Sequence, residues 1–142
     1  MSVEIFRGCT RGCRFCQAGM ITRPVRERSL EGVGEMIIQG LGATGYEEVG
    51  LLSLSSADHS EIGPMAKGLA DRYEGTQTSL SLPSTRVDAF NIDLALELQR
   101  NGRRSGLTFA PEGGSERLRN VINKRVTKQD LVNTVTAAYG AG

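Results

Sequence analysis

The stretch Val49-Gly50-Leu51-Leu52-Ser53-Leu54 gives the clearest indication of the fold of this chain. Its nearly continuous apolar run is typical of a strand buried on both faces of a parallel sheet. Polar residues follow it up to Ser60, and a segment with helical spacing of apolar residues comes next. A buried strand, a polar strand end and a helix in that order predict a βα unit.

Comparable units repeat along the rest of the chain. The predicted strands are residues 2–6, 49–54, 80–84 and 106–109. The predicted helices begin at or near Ser29, Ser60, Asn91, Ser115 and Thr127. Strands separated by helical crossovers predict an α/β fold with a parallel sheet, and each unit has the size of a βαβ unit, about 30 residues. The chain therefore holds about four such units.

Size, composition and charge exclude several classes of protein. The chain has 142 residues, of which 39% are hydrophobic, as expected for one globular domain. A formal net charge of +1 argues against bulk affinity for nucleic acid. No apolar stretch approaches the length of about 20 residues that a membrane span needs. We expect a cytoplasmic protein that does not enter membranes.

The three cysteines of the chain stand close together in the run Arg7-Gly8-Cys9-Thr10-Arg11-Gly12-Cys13-Arg14-Phe15-Cys16. Three thiolates at C-x3-C-x2-C spacing can ligate three irons of a [4Fe–4S] cube. The fourth iron is then left for a small chelating cofactor, whereas an electron-carrying cluster normally takes four cysteines. Gly8 and Gly12 can adopt positive φ and let backbone amides approach the sulfurs. The nearby arginines either offset the cluster's negative charge or lie solvated on the loop.

Other interpretations of the cysteines remain at this stage. An odd number of cysteines and the lack of a signal peptide disfavour a disulfide framework. A zinc site formed by Cys9, Cys13 and Cys16, with His59 as a fourth ligand, is the main alternative. The chain would then be a zinc-stapled module that binds RNA or protein without redox chemistry. Three buried apolar cysteines are a further alternative.

The cysteine spacing, with Phe15 just before the third cysteine, resembles the signature of the radical S-adenosylmethionine (radical SAM) superfamily. Residues 17–26, 53–60, 81–88 and 108–119 add to this resemblance. Together they resemble an uncharacterised bacterial family whose members carry a cobalamin-binding-like domain before the core. Wider relatives include methylthiotransferases that modify tRNA or a ribosomal protein, and cobalamin-dependent methyltransferases.

The resemblance implies an enzyme that binds a [4Fe–4S] cluster and S-adenosylmethionine. It implies reductive cleavage of the cofactor to a 5′-deoxyadenosyl radical, which takes hydrogen from an unknown substrate, with methyl or methylthio transfer as one outcome. An electron donor of the flavodoxin or ferredoxin type and an RNA or other macromolecular substrate are the implied partners. Cobalamin would require a domain outside this chain. The implied fold is a partial TIM-like barrel of six βα units, of which residues 1–142 would be the first two-thirds.

The same resemblance assigns the cluster ligands, Cys9, Cys13 and Cys16, and the residues that contact S-adenosylmethionine. The latter are Ser55, Ser56, Asp58, Ser84, Arg86 and Glu112. All of them follow predicted strands, where ligands bind in parallel α/β proteins. Their chemistry suits the cofactor's ammonium, carboxylate and ribose hydroxyls, and a guanidinium can grip a carboxylate bidentately.

Simpler roles for the same residues are also open. Asp58 and Ser60 would cap the helix that follows them, and Ser115 with Glu116 would cap the next but one. Arg86 and Asp88 would pair with each other on the surface, where such a pair is worth about 0–1 kcal/mol. Residues 55–58 also depart from the Gly-Gly-Glu-like stretch that the superfamily usually has at this position.

Overall fold

A computed structural model of the chain describes residues 1–100 and 107–140. Its strands are β1 (Ser2–Glu4), β2 (Phe6–Arg7), β3 (Arg26–Glu27), β4 (Glu48–Leu52) and β5 (Ser79–Ser81). Its helices are α1 (Ala18–Ile21), α2 (Leu30–Thr44), α3 (Ile62–Arg72), α4 (Ile92–Gln99), α5 (Glu116–Val121) and α6 (Lys128–Gly140). The fold is mixed α/β, as predicted, and a three-stranded parallel sheet in the order β1-β4-β5 forms its centre.

The two faces of the parallel sheet differ in character. Val49 and Leu51 of β4 are fully buried, in one core cluster with apolar residues of α2, α3 and α4. On the opposite face Ser2, Gly50 and Ser81 lie side by side across the three strands. Helices α2 and α3 connect successive parallel strands, as expected for a partial (βα)n fold. The predicted strand 49–54 is therefore confirmed, although it ends at Leu52.

The first predicted strand, residues 2–6, is divided between two sheets. The chain leaves the parallel sheet at Ile5, whose N–H donates to the Leu52 carbonyl at 2.9 Å while its own carbonyl accepts from the Arg28 N–H at 2.9 Å. After this residue β2 pairs antiparallel with β3. The sequence pattern predicted one strand because polar and apolar residues alternate up to Ile5 and a further apolar residue, Phe6, follows directly. The alternation does not reveal which strand is the partner.

The fourth predicted strand, 106–109, is not found where the structure can test it. Gly106 lies outside the described residues, and 107–109 carry no strand. Leu107 and Thr108 line a cleft beside Pro83, which has no N–H to offer a neighbouring strand. The Phe109 ring packs edge-on against Phe90, with the ring centroids 4.9 Å apart. In the described residues the parallel sheet thus has three strands instead of four, and the third of them, predicted as 80–84, ends at Ser81.

Local capping signals predicted most helix starts correctly. At the start of four helices, the side-chain oxygen of the predicted N-cap residue accepts a hydrogen bond from a backbone N–H. These N-caps are Ser29 for α2, Asn91 for α4, Ser115 for α5 and Thr127 for α6. The helix predicted to begin near Ser60 does not begin with such a side-chain cap. The Ser60 N–H donates to Glu27 of β3 at 2.9 Å, and α3 begins only at Ile62.

Helix α2 ends at Thr44, because the next residue, Gly45, adopts the left-handed conformation with φ of +68° and donates its N–H to the Leu41 carbonyl. At 15 residues α2 is shorter than the length of about 20 residues that spans a bilayer. Throughout the described ranges, no helix is both long and apolar enough to cross a membrane.

Candidate cluster and cofactor site

The cysteine loop connects β2 with α1 and is shaped by two glycines. Gly8 and Gly12 both have positive φ, of +94° and +69°, as the sequence predicted. A Cβ atom on Gly8 would lie 2.8 Å from the Thr22 carbonyl oxygen, so no other residue fits there without movement. Cys9, Cys13 and Cys16 all carry free thiols, and Cys13 is the most buried of them, at 8% exposure.

Each cysteine sulfur receives a hydrogen bond. The N–H of Arg11 donates to Cys9 Sγ at 3.4 Å, and the N–H of Gly19 donates to Cys16 Sγ at 3.4 Å. The sulfur of Cys13 instead accepts from Nη1 of Arg86 at 3.7 Å. Donors of this kind stabilise negative charge on thiolates and on the sulfurs of an iron–sulfur cluster.

The described donor groups do not form a site for a single metal ion. In the described ranges, no three His, Cys, Asp or Glu side chains converge closely enough to surround one metal ion. A tetrahedral zinc, with Zn–S bonds of about 2.3 Å, would require sulfurs only about 4 Å apart. A cube gives each thiolate its own iron, so its ligands stand farther apart. A Cβ on Gly19 would lie 3.6 Å from Cys16 Sγ and 3.7 Å from Cys9 Cβ, and the glycine keeps this space between the two cysteines free.

The imidazole of His59 is occupied by backbone groups and does not serve as a fourth ligand. Its Nδ1 accepts the N–H of Glu61 at 3.0 Å, which leaves Nε2 to donate to the Arg28 carbonyl at 3.0 Å. The side chain is 3% exposed and packs edge-on against Phe6. His59 therefore joins β3 to the start of α3, and nothing in its surroundings favours the zinc-stapled module.

Charged residues that follow β4 and β5 meet Arg11 of the cysteine loop in an alternating chain of charges. Arg11 of the loop donates from Nε and Nη2 to the two carboxylate oxygens of Asp58, the first at 2.8 Å. Its Nη1 donates to Asp88 Oδ2 at 3.0 Å. Asp88 also accepts from Nε and Nη2 of Arg86, at 2.9 and 3.1 Å. We call Asp58, Arg11, Asp88 and Arg86 the charge network.

Burial and pairing act in opposite directions on the charge network. Burial would raise the pKa of Asp58, but the hydrogen bond from Arg11 and nearby positive charge hold it below its usual value. The Asp58 carboxylate in turn raises the pKa of Arg11. For Arg86, burial would lower the pKa, and the Asp88 carboxylate outweighs this effect and raises it. All three groups are therefore charged near neutral pH.

The alternative in which Arg86 pairs with Asp88 is correct about the partners and wrong about the location. The two side chains are 10% and 15% exposed, which places the pair inside the site and not on the surface. The Nε and Nη2 edge of Arg86 is engaged by Asp88 and by the Lys124 carbonyl. A bidentate grip on another carboxylate is thus not available in this arrangement, and Nη1 is the nitrogen left for a ligand.

The serines predicted to contact the cofactor lie at the ends of β4 and β5. The Ser56 hydroxyl is 2.7 Å from that of Ser53, and the Ser56 N–H donates to the Ser84 carbonyl at 3.0 Å. The Ser55 hydroxyl is buried and lies near enough to Asp58 to lower its pKa. It reaches hydrogen-bond geometry with no group among the described residues. The predicted positions therefore come together, and Ser55 offers an unused hydroxyl.

Glu112 is displaced from the other predicted contacts. It adopts a left-handed conformation with φ of +64°, and its exposed carboxylate lies 3.5 Å from Nζ of Lys124. That ammonium lies 6.0 Å from the centre of the Phe15 ring beside Cys16. Glu112 thus reaches the cysteine loop through Lys124.

The connection between α5 and α6 holds the cysteine loop, which sequence reasoning did not predict. The Asn123 amide donates to the carbonyls of Gly12, at 2.8 Å, and Arg11, at 3.4 Å. The Arg14 N–H donates to the Ile122 carbonyl at 3.0 Å, and its guanidinium donates to that of Val121. Asn123, with φ of +57°, follows a helix end where asparagine commonly takes this conformation, and that is the one local signal of its position.

Comparison with known proteins identifies the superfamily of the chain. The family model described as the radical SAM superfamily matches residues 3–142. The chain is 37% identical over 140 residues to a protein of Methanocaldococcus jannaschii named "Uncharacterized protein MJ0966". That alignment covers 99% of this chain and 30% of its relative, so the chain spans about a third of the relative's length. With a match over nearly its whole length and the three cysteines of the signature in place, the chain belongs to the radical SAM superfamily.

Proposed function

We propose that this chain forms the cluster-binding and S-adenosylmethionine-binding part of a radical SAM enzyme. The observation that carries the proposal is the position of the free thiols of Cys9, Cys13 and Cys16. They lie on a loop held by charged residues from the carboxyl ends of parallel strands, in a domain of this superfamily. Enzymes of this superfamily typically use a [4Fe–4S] cluster and S-adenosylmethionine.

The chemistry belongs to the bound groups, and the protein positions and shields them. A [4Fe–4S] cluster held by these cysteines would supply one-electron reduction of the sulfonium of S-adenosylmethionine, with an external donor as the source of the electron. Cys9, Cys13 and Cys16 would hold three irons. The amides that donate to Cys9 and Cys16 would neutralise part of the thiolate charge.

The predicted cofactor residues have distinct parts in this proposal. The Asp58 carboxylate would receive the ammonium of the amino acid, together with the neighbouring Ser55 hydroxyl, which is buried and reaches hydrogen-bond geometry with none of the described residues. The Nη1 group of Arg86 would donate one hydrogen bond to the cofactor carboxylate. Ser56 and Ser84, joined through their backbones, would fix the strand ends that carry these groups. Glu112 is exposed, and a role with the ribose hydroxyls would require it to leave Lys124.

The partners of the whole protein are a further part of this proposal. A one-electron donor of the flavodoxin or ferredoxin type would supply the electron. We propose a macromolecular substrate such as RNA, with methyl or methylthio transfer as the reaction, and cobalamin would bind to a domain outside this chain. Three free thiols favour the cytoplasm, where disulfides are rare. That residues 1–142 are the first two-thirds of a barrel core stays a prediction.

Replacing the cysteines one at a time tests the proposed ligand set. We expect wild-type protein to take up about four irons and four sulfides per chain under anaerobic reconstitution. Cys9→Ala, Cys13→Ala and Cys16→Ala should each lose the cluster. A full cluster retained in any one of these variants would remove that cysteine from the ligand set.

Cofactor affinity tests the second half of the proposal. Arg86→Ala should weaken binding of S-adenosylmethionine by about 1.5–3 kcal/mol, the worth of one charged hydrogen bond. Arg7→Ala is the matched control, because Arg7 lies in the same loop region but is exposed and pairs with Glu4. Equal dissociation constants for Arg86→Ala and Arg7→Ala would exclude Arg86 from the cofactor site.

A further inference from the structure

The three sulfurs of the site differ in the kind of donor that faces them. Cys9 and Cys16 accept from neutral backbone amides, whereas Cys13 accepts from the guanidinium of Arg86, with Nη1 3.7 Å from Sγ. Cys13 is also the most buried of the three cysteines. Among the three sulfurs, only that of Cys13 therefore accepts from a charged donor in the part of the chain that the structure describes.

The guanidinium of Arg86 is held in place by contacts on its other nitrogens. Nε and Nη2 donate to the two oxygens of Asp88, and Nη2 also donates to the Lys124 carbonyl at 2.9 Å. Asp88 is fixed in turn by Arg11, and Arg11 by Asp58. With the Arg86 side chain only 10% exposed, Nη1 has little freedom to turn away from Cys13.

A positive charge fixed at a ligand sulfur favours the reduced cluster, because reduction adds one negative charge. Net charge, hydrogen bonds to sulfur and solvent exposure set the potentials of iron–sulfur clusters. Arginine keeps its charge at every pH at which proteins work. An arginine at a buried sulfur thus acts on two of these three quantities.

We propose that Arg86 is a positioning residue that raises the reduction potential of the cluster through the sulfur of Cys13. Asp88, Arg11 and Asp58 keep its guanidinium in that position. The proposal rests on the cluster of the proposed function but does not require S-adenosylmethionine. It is compatible with a contact to that cofactor, because Nη1 carries a second N–H. The charge network, which joins the cysteine loop to residues that follow β4 and β5, would then tune the electron transfer that starts the reaction.

Redox titration of the reconstituted full-length protein, followed by EPR without S-adenosylmethionine, tests the proposal. We expect Arg86→Gln to lower the equilibrium constant for one-electron reduction by at least about tenfold, which corresponds to about 59 mV. Arg86→Lys should lower it by about threefold, because an ammonium keeps the charge but cannot hold Asp88 and the sulfur together. Arg7→Gln removes an exposed charge that solvent screens, and it should change the equilibrium constant for one-electron reduction by less than about twofold.

The outcomes separate this inference from the proposed function. A shift in Arg86→Gln no larger than in Arg7→Gln would overturn the inference and leave the proposed function standing. If Arg86→Gln does not hold a cluster, Arg86→Lys decides, and a wild-type potential there would overturn the inference. A wild-type cluster that ignores S-adenosylmethionine would remove the proposed function alone. Wild-type protein without any cluster would remove both.

Discussion

The Arg11–Asp58 ion pair should be the interaction on which the charge network most depends. Arg11 donates to both oxygens of Asp58 and, through Nη1, to Asp88 at 3.0 Å. Replacement by glutamine would leave two carboxylates, 20% and 15% exposed, without the cation they share. The variant Arg11→Gln therefore tests whether the network stabilises the fold around the site.

The loss of stability expected for Arg11→Gln lies between two limits. Exposed ion pairs contribute about 0–1 kcal/mol, whereas breaking a buried pair costs about 3–5 kcal/mol. The Arg11 and Asp58 side chains are 31% and 20% exposed, between these cases. We expect Arg11→Gln to lower the free energy of unfolding by about 2 kcal/mol at pH 7. In a double-mutant cycle with Asp58→Asn, the coupling energy should be about 1–2 kcal/mol.

The loss should also depend on pH in a definite direction. Because the pKa of Asp58 is held below its usual value, its stabilising effect is present above the unfolded-state pKa of about 3.9. The effect disappears as the pH falls through the lower pKa of the folded state. The stabilities of wild-type protein and Arg11→Gln should therefore differ at pH 7 and converge as the pH falls below the folded-state pKa of Asp58.

Urea unfolding at several pH values measures both quantities without adding salt. Arg7→Gln is the control, because Arg7 is 57% exposed in its pair with Glu4 and its loss should change the free energy of unfolding far less than Arg11→Gln does. A coupling energy below about 0.5 kcal/mol would refute the reasoning, as would a difference that stays constant down to low pH.

Three glycine and asparagine positions give further expectations, all measured by urea unfolding. Asn123→Gly should lower the free energy of unfolding by about 1 kcal/mol, because the hydrogen bond to the Gly12 carbonyl is lost. Asn123→Ala should lower it by about 1 kcal/mol more, because alanine is strained in the left-handed conformation of this residue. Equal losses in the two variants would contradict this reasoning. Gly8→Ala should lower the free energy of unfolding by more than about 2 kcal/mol and reduce iron uptake, because its Cβ would collide with the Thr22 carbonyl oxygen. A variant as stable as the wild-type protein would argue against the observed conformation of the loop. Gly34→Ala should add about 0.5–1 kcal/mol, because a Cβ there meets nothing within 4 Å in the middle of α2, and a loss would show that α2 packs differently.

Local chemistry explains why much of the fold could be predicted from the sequence. An N-cap such as Ser29 or Asn91 and a C-terminal glycine such as Gly45 act within a few residues, so their effect can be read directly. The apolar run of β4 indicated a buried parallel strand for the same reason. The division of the first strand at Ile5 was missed because it depends on distant partners at Leu52 and Arg28.

The same distinction, between signals that act locally and contacts with distant residues, applies to the site. Its cysteines and the polar strand ends could be predicted, because their positions follow from spacing and from the direction of parallel strands. Two features could not: Arg11 links Asp58 to Asp88, and Asn123 reaches the backbone of the cysteine loop. Both join residues far apart in the chain, and neither residue type is distinctive without its partner. The sequence therefore indicated candidate residues for the site but not the contacts between them, and Glu112 follows a predicted strand that is not found among the described residues.

EPR of the reduced, reconstituted protein with and without S-adenosylmethionine tests the central claim most directly. The three thiolates of Cys9, Cys13 and Cys16 should leave one iron of a [4Fe–4S] cluster free of protein ligands. We predict a reduced-cluster signal whose g values change when S-adenosylmethionine is added. An identical spectrum in its presence, or a colourless protein that holds one zinc, would contradict the account.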